Sequence, residues 1–311
     1  MGRAVQESRK QWSQEIITKT NNKMKKTSIS LLLTLALAFV CGTAQAKTEK
    51  LRILTSNVRL LTKADGPLNL WQDRRDPLCA YIKQVAPDIF GMQEVTKPQL
   101  DDAQKRLPGY SYVGVGRDDG HEKGEYSPVW YRSDKFNLID KGWFWLSETP
   151  DVPSFGWHAA CRRIASWAVL EDKKTKARFF FCNTHFDHIS VQARMESAKL
   201  CKDKFKSIAG ELPTFFTADF NTNEAEATYS LLCNYAYPYS DAWHVAKKRE
   251  GGPATFNGWG KTPNTAKAKI DFIFLSPRIK VKRAVIHDSA IGGGKYLSDH
   301  NVHWADVSWK L

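Results

Sequence analysis

Four apolar residues in a row, Phe179-Phe180-Phe181-Cys182, run directly into Asn183-Thr184-His185-Phe186-Asp187-His188. An uninterrupted apolar run beside a threonine predicts a central strand buried on both faces, although so short a run also fits a helix by periodicity alone. It ends in two imidazoles and a carboxylate. The pattern recurs along the chain. Residues 51–56 run into Asn57, residues 89–93 into Glu94, and residues 213–218 into Asp219 and Asn221. Residues 269–275 carry Asp271, and Asp299-His300 stands just before a last apolar stretch at 302–307.

The stretches between these runs alternate in type. Residues 71–85 place Trp71, Leu78, Ile82 and Val85 at roughly helical spacing, and Pro87-Asp88 ends that helix. Residues 98–107 read as a short helix stopped by Pro108-Gly109. Residues 110–115, 129–131 and 136–143 read as antiparallel strands, with 118–124 an exposed loop. Residues 165–170 and 177–184 form a hairpin around the charged run Asp172-Lys173-Lys174-Thr175-Lys176. Residues 191–208 are a helix leading to a strand at 214–218, and 224–234 is helical again. Such a mixture of βα units and hairpins predicts packed sheets with helices outside.

The first 46 residues follow another pattern. Residues 1–23 are mostly polar and read as an over-extended N-terminus, with Met24 as the true start. Met24-Lys25-Lys26 then precedes an apolar run over 29–40 and a small-x-small site at Ala44-Gln45-Ala46. Residues 24–46 thus read as a secretory signal peptide, the run being short for a bilayer span. A lipidated Cys41 is the lesser alternative, because Val40 is bulky for the position before such a cysteine. Residues 47–311 are read as one catalytic domain, with no linker or repeat to divide it and no integral membrane segment. The product is expected in the periplasm or outside the cell, as a monomer. The net charge of +13 is partly carried by the leader; the remaining basic balance favours anionic substrates and is compatible with nucleic acid. Five cysteines remain after cleavage, with no CxxC spacing to imply a metal knuckle.

Composition does not single out a chemistry, but the strand ends do. Carboxylates and imidazoles at the ends of buried strands are costly unless each has a partner such as a metal or a phosphate. Six segments, SNVR (56–59), QEV (93–95), NTHFDH (183–188), ADFN (218–221), KIDFIFLS (269–276) and SDH (298–300), stand in an order that resembles the endonuclease/exonuclease/phosphatase superfamily of metal-dependent phosphoesterases. The resemblance covers nearly all of residues 47–311. It implies a DNase I-like four-layer α/β sandwich, two packed mixed sheets flanked by helices, and hydrolysis of a phosphomonoester or phosphodiester by direct attack of water. Mg²⁺, with Mn²⁺ as a substitute, would be held by Glu94, Asp299 and Asn57, unless Asn57 instead orients Glu94 or a metal-bound water. Asp219 would activate or orient the attacking water, and Asn221 would hold it and a phosphoryl oxygen. His300, fixed by Asp271, and His185, oriented by Glu148, would grip the phosphate from two sides. Arg162 and Arg163 match a segment near the site in exported bacterial and deadenylase-like members, and Arg binds phosphate bidentately. Trp259 and Trp157 lie in loops where they could stack on a planar group, while Trp143 and Trp145 share a parity that could line the rim and Trp167 reads as core. Asp187 and His188 are left outside the metal and phosphate contacts.

The substrate stays open between a phosphorylated small molecule, a phospholipid head group and nucleic acid. A secreted nuclease and a phospholipid or sugar-phosphate phosphodiesterase are the enzymatic alternatives, and a non-catalytic binding protein is the rival class. DNA repair fits poorly: Tyr126 and Tyr131 match the repair enzymes' site tyrosine by position only. The leader is directly testable. Expression from Met24 in a secreting host should yield protein whose N-terminus, by intact-mass spectrometry, is at or close to Lys47; a retained 24–46 segment on the exported form would refute it.

Overall fold

A computed structural model describes residues 2–40, 47–234 and 237–311. Two compact units separate at Lys47, residues 1–47 and Thr48–Leu311. The first holds one helix, α1 (Gly2–Val40), whose described side chains are exposed. Cys41 and the Ala44-Gln45-Ala46 site lie outside the described residues. Among the described residues no helix is long and apolar enough to cross a membrane.

The second unit begins with β1 (Thr48–Asn57), α2 (Trp71–Val85), β2 (Ile89–Gln93), α3 (Lys97–Arg106), β3 (Tyr110–Val113) and β4 (Val129–Arg132). It continues through β5 (Phe136–Trp145), β6 (Ile164–Asp172), β7 (Arg178–His185), α4 (Val191–Ala209), β8 (Thr214–Asp219) and α5 (Ala227–Asn234). The last third carries β9 (Ser240–Asp241), α6 (Ala242–Val245), β10 (Lys248–Gly251), β11 (Asp271–Leu275), β12 (Lys280–His287), a small hairpin of β13 (Ala290–Gly292) and β14 (Lys295–Tyr296), and β15 (Val302–Lys310). The strands form a seven-stranded sheet, β10-β12-β15-β1-β2-β4-β3, and a six-stranded one, β5-β6-β7-β8-β11-β9. Both are mixed, with β1 parallel to β2 and β7 parallel to β8 inside otherwise largely antiparallel neighbours.

Side chains alternate across a strand, so β7 shows why its apolar run is continuous. Phe179 and Phe181 face the other sheet, packing with Ile53, Ile89, Phe215 and Ile273. Phe180 and Cys182 face outward onto Ala198, Cys201 and Phe205 of α4. On the outer face of the seven-stranded sheet, Leu78, Ile82 and Val85 of α2 and Leu100 of α3 cover Leu54, Phe90 and Trp130. Four layers result: helix, sheet, sheet, helix. This is the expected sandwich.

Departures from the expected elements have local causes. The run 110–115 stops at Val113 because Gly114 takes φ 150°. The helix expected from 224 starts at Ala227, since Glu224 is held by the buried Lys269 ammonium, which also pairs with Asp241. Strand β12 is not among the elements expected from the sequence; its Lys280, Lys282 and Arg283 hide an inward face made by Val281, Ala284 and Ile286.

Below the site, Asn183 continues the inward parity of Phe179 and Phe181 and crosses to the other sheet. Its Nδ2 donates to the Met92 and Pro128 carbonyls at 2.7 and 3.0 Å. Its Oδ1 accepts from Gln93 Nε2 at 2.7 Å and Thr217 Oγ1 at 3.0 Å. Gly91 makes the room: a Cβ there would stand 2.2 Å from Asn183 Oδ1 and 2.5 Å from Thr217 Oγ1. Gly91→Ala should therefore overpack this layer and break buried hydrogen bonds together, costing about 2–4 kcal/mol in chemical denaturation. A loss below ~0.5 kcal/mol would show that the layer relaxes freely.

Candidate active site

The parallel pairs β1–β2 and β7–β8 end at the same edge of the two sheets, and the antiparallel strands β11 and β15 begin there. One rim therefore carries Asn57, Glu94 and His300, and the facing rim carries His185, Asp219 and Asp271. Along the second rim His185 is paired with Asp219, and Asp219 with Asp271, on adjacent strands. The chain leaves the strands here through left-handed residues, Arg59 at φ 57°, Glu94 at 61° and Asn221 at 46°. Such backbone costs on the order of 1 kcal/mol or more per non-glycine residue and persists where surrounding bonds fix it. Asn57 Oδ1 accepts from Arg59 N, and Asp219 Oδ1 from Asn221 N, both at 2.9 Å.

Asn57 ties the two rims together. Its Nδ2 donates to Glu94 Oε1 and to Asp219 Oδ2, each at 2.9 Å. Its oxygen accepts one hydrogen bond from Arg59 N and keeps a second lone pair, so Asn57 braces Glu94 through its amide and retains an oxygen acceptor. Burial alone would raise the Glu94 carboxyl, but the Asn57 hydrogen bond, the His300 charge and the Leu60 N–H outweigh it and hold it below its ordinary range. Burial, reinforced by the Asp271 charge, pushes Asp219 up to about 7 against the pull of His300.

His300 Nδ1 donates to Asp271 Oδ2 at 2.8 Å, as a carboxylate can only accept. Burial disfavours the imidazolium, yet Asp271, Asp219 and Asp299 together raise it to about 10. His300 is therefore a cationic donor, with Nε2 3.7 Å from Asp219 Oδ2. His185 is its opposite. Burial and the charges of Arg163 and Arg117 lower its pKa well below the ordinary value. Asn221 Nδ2 donates to the Phe186 carbonyl at 3.0 Å, which fixes the amide, and so it also donates to His185 Nε2 at 2.9 Å. Nε2 accepts, and the ring proton sits on Nδ1. Asp219 Oδ2 also lies 3.4 Å from Nε2.

The acid facing that Nδ1 is not Glu148. Glu148 is exposed and lines no part of the cavity, because it follows the end of β5 in a turn. Glu125 takes its place, with Oε2 4.0 Å from His185 Nδ1 and a two-pronged pair to Arg117 at 2.8 Å. Burial raises its pKa despite Arg117. Glu125 follows directly on the segment expected as exposed loop and carries no local signal; the bridge of its neighbour Tyr126 to Val95, next to Glu94, brings it to the site. Tyr126 and Tyr131 are buried, and neither reaches the cavity.

These groups open into one cavity of about 600 Å³, which Arg59, Cys161, Arg163, His188 and Trp259 also line. The Arg162-Arg163 pair is split by alternation: Arg163 faces the cavity and reaches His188 Nδ1 at 3.0 Å, whereas Arg162 stacks on the exposed Phe155. Since Arg has no acceptor, His188 Nδ1 accepts. Asp187 is structural, accepting from the backbone N–H groups of Ala160, Ile189 and Ser190. Trp145 is buried with Nε1 on the Arg117 carbonyl, and Trp143, Trp145 and Trp157 all lie off the cavity lining. A second cavity of about 570 Å³, lined by Lys202, Tyr239 and Trp309 among others, contains none of these site groups.

Glu94, Asp219 and His300 offer atoms within 4.8 Å of one another. A protonated His300 cannot ligate, but the ionised Glu94 carboxylate suits a hard divalent ion, with Asp219 beside it. Asp299, the other expected ligand, also lines the cavity, and its Oδ2 lies 3.8 Å from Arg59 Nε.

The chain matches the Endonuclease/Exonuclease/phosphatase family over residues 54–300. A solved endonuclease/exonuclease/phosphatase from Bacteroides vulgatus is 42% identical, with TM-score 0.81, covering 84% of this chain and 100% of that one. A mannosyl-6-phosphatase from Bacteroides thetaiotaomicron is 36% identical, with TM-score 0.75, covering 83% of this chain and 99% of that one. An uncharacterized protein of Acanthamoeba polyphaga mimivirus is 30% identical over 162 residues, 50% of this chain and 60% of that protein. The chain spans 60% or less of the length of the curated relatives it matches.

The two histidines should titrate oppositely in nitrogen-detected NMR. His300 should stay protonated through neutral pH and lose its proton near pH 10, and Asp271→Asn should bring it down toward the ordinary value of about 6.5. His185 should stay neutral well below that value. A His300 that titrates near 6.5 in the unaltered protein would refute the assignment.

Proposed function

The chain belongs to the Endonuclease/Exonuclease/phosphatase family and is a phosphoesterase-type hydrolase with a divalent-metal site; on that premise we propose that it hydrolyses a phosphomonoester of a small polyol by direct attack of water. The observation that carries the reaction is the joining of a cationic His300, a carboxyl near neutrality at Asp219 and an ionised Glu94 in one cavity. The substrate class is supported by the likeness to the Bacteroides thetaiotaomicron mannosyl-6-phosphatase, matched over 99% of its length.

Glu94, braced by Asn57, would hold Mg²⁺ or Mn²⁺ with Asp219 beside it; such an ion, when bound, polarises phosphoryl oxygens and stabilises charge on the leaving oxygen. The rest falls to the chain's own groups. Asp219, ionised beside such a cation, would orient the attacking water and take its proton. His300 directs Nε2–H at the phosphoryl oxygens, where negative charge gathers as the ester breaks, and Asp271 keeps that donor charged and oriented. Asn221, whose amide N–H groups are taken by the Phe186 carbonyl and His185 Nε2, keeps its Oδ1 as an acceptor for the attacking water. The leader-like pattern of residues 24–46 supports export of the enzyme.

His300→Ala should lower kcat by about 10²–10³-fold with a much smaller change in KM, because the donor counts most in the transition state. Asp271→Asn should cost less. A panel of sugar phosphates, inositol phosphates, sphingomyelin, RNA and plasmid DNA, each with Mg²⁺ and with EDTA, identifies the substrate class. Faster cleavage of a nucleic acid or a lipid diester than of any sugar phosphate would overturn the monoester reading, and full activity in EDTA would overturn the metal dependence.

A further inference from the structure

Trp259 lines the active-site cavity and has no task in the chemistry above. Its backbone is left-handed, at φ 61°, between Gly258 at 55° and Gly260 at 79°. A bulky side chain rarely occupies that region and stays there only where its surroundings fix it. They do so here. Asn257 N and Gly258 N both donate to the Asp299 carbonyl, at 2.8 and 3.0 Å, and Trp259 N donates to Asn257 Oδ1 at 2.9 Å. The loop is thus latched to the residue that precedes His300, so backbone hydrogen bonds hold the indole beside that phosphate donor.

The indole also has a firm back. Arg74 Cζ lies over one of its faces, 5.2 Å from the ring centroid. That guanidinium is buried and donates to the carbonyls of Asn69, Val58 and Leu297 at 2.7, 2.8 and 3.0 Å, so it does not swing away. Tyr296 meets the indole at 6.5 Å between centroids and an angle of 64°. One face is therefore filled, and the part-exposed ring offers its other face to the cavity. Phe256, also in the lining, is engaged edge-on with His300 at 5.1 Å. The facing parts of the lining are charged, with Arg59, Arg117, Glu125 and Arg163.

That combination discriminates between ligands. A nucleobase has two π faces and is held best between two planar groups. A sugar ring carries C–H groups on a face and hydroxyls around its rim, so one aromatic face with charged donors and acceptors about it suits the sugar. An open-chain polyol has no such flat face and loses more rotamer freedom on binding.

We propose that Trp259 is the platform for a cyclic sugar: its free face stacks on the C–H face of the ring while His300 holds the phosphate. This role rests on the phosphomonoester reading above and narrows the substrate from small polyols at large to cyclic sugar phosphates.

The test uses the full chain with Mg²⁺. It compares mannose or glucose 6-phosphate, whichever turns over faster, with the open-chain hexitol phosphate obtained by reducing it. The unaltered protein should favour the ring form in kcat/KM by about tenfold. Trp259→Ala should raise KM for the ring form about tenfold with kcat little changed, since stacking is alike in ground and transition states. For the open-chain form KM should move less than about twofold. Trp259→Phe, which restores a smaller aromatic face, should recover most of the loss. Should Trp259→Ala not fold, Trp259→Leu fills the space against Arg74 without an aromatic face and should show the same selective loss. Equal losses on both substrates would mean that the indole only supports its loop, and would overturn the platform. Faster turnover of a nucleoside monophosphate than of any sugar phosphate would overturn it too. Turnover of no phosphomonoester at all would sink the monoester reading itself, and the platform with it.

Discussion

The contact on which the rest of the molecule depends is the crossing of Asn183 between the sheets. Two apolar sheet faces could slide over one another at little cost, since burial is non-directional. Four hydrogen bonds from one fully buried amide, to Met92, Pro128, Gln93 and Thr217, remove that freedom. An unmet polar group in this layer would cost about 1–3 kcal/mol, so a slipped arrangement is penalised at each lost bond. The site lies one or two residues further along the same strands, at Glu94, His185 and Asp219, and inherits its alignment from this layer.

That alignment matters because the site gathers like charges. Glu94, Asp219 and Asp299 line one cavity, and the buried Asp271 stands behind His300. Such crowding favours the unpaired chain over the folded one unless cations and donors are delivered with it. The fold delivers them from specific places: His300 from the turn before β15, Arg59 from the turn after β1, and the Asn57 amide between Glu94 and Asp219. The pKa pattern follows from these positions. Glu94, with a donor on each oxygen, stays ionised, whereas Asp219 rises to about 7. Two carboxylates of the same site thus acquire different tasks, one suited to a metal and one to a proton.

His185 and His300 divide in the same way. Burial disfavours a charge on either ring; at His300 it is overcome by Asp271 and its fellow carboxylates, and at His185 it is reinforced by Arg163 and Arg117. Either ring alone in the sequence is only a histidine at the end of a strand. What separates them is the sign of the charges that the fold places beside each ring.

Much of the fold and of the site is legible in the amino-acid sequence. The continuous apolar run of β7, the polar residues ending β1, β2 and β8, and the order of six short segments determine the layered class, the family and the residues Asn57, Glu94, Asp219, Asn221, Asp271 and His300. They do so because strand periodicity and strand ends are local properties of the chain. Partners across space are not legible there. Glu148 is the candidate that the sequence offers for His185, but Glu125 reaches it because β4 lies beside β2 in the opposite sheet. Arg162 and Arg163 are equal in the sequence, and only the facing of the chain before β6 sends one to Phe155 and the other to His188. Arg59 is one more basic residue until the turn after Asn57 sets it between Glu94 and Asp299. The residue types at strand ends are written in the chain; which charge faces which is decided by sheet order and register, because those alone bring distant strand ends within a few ångströms.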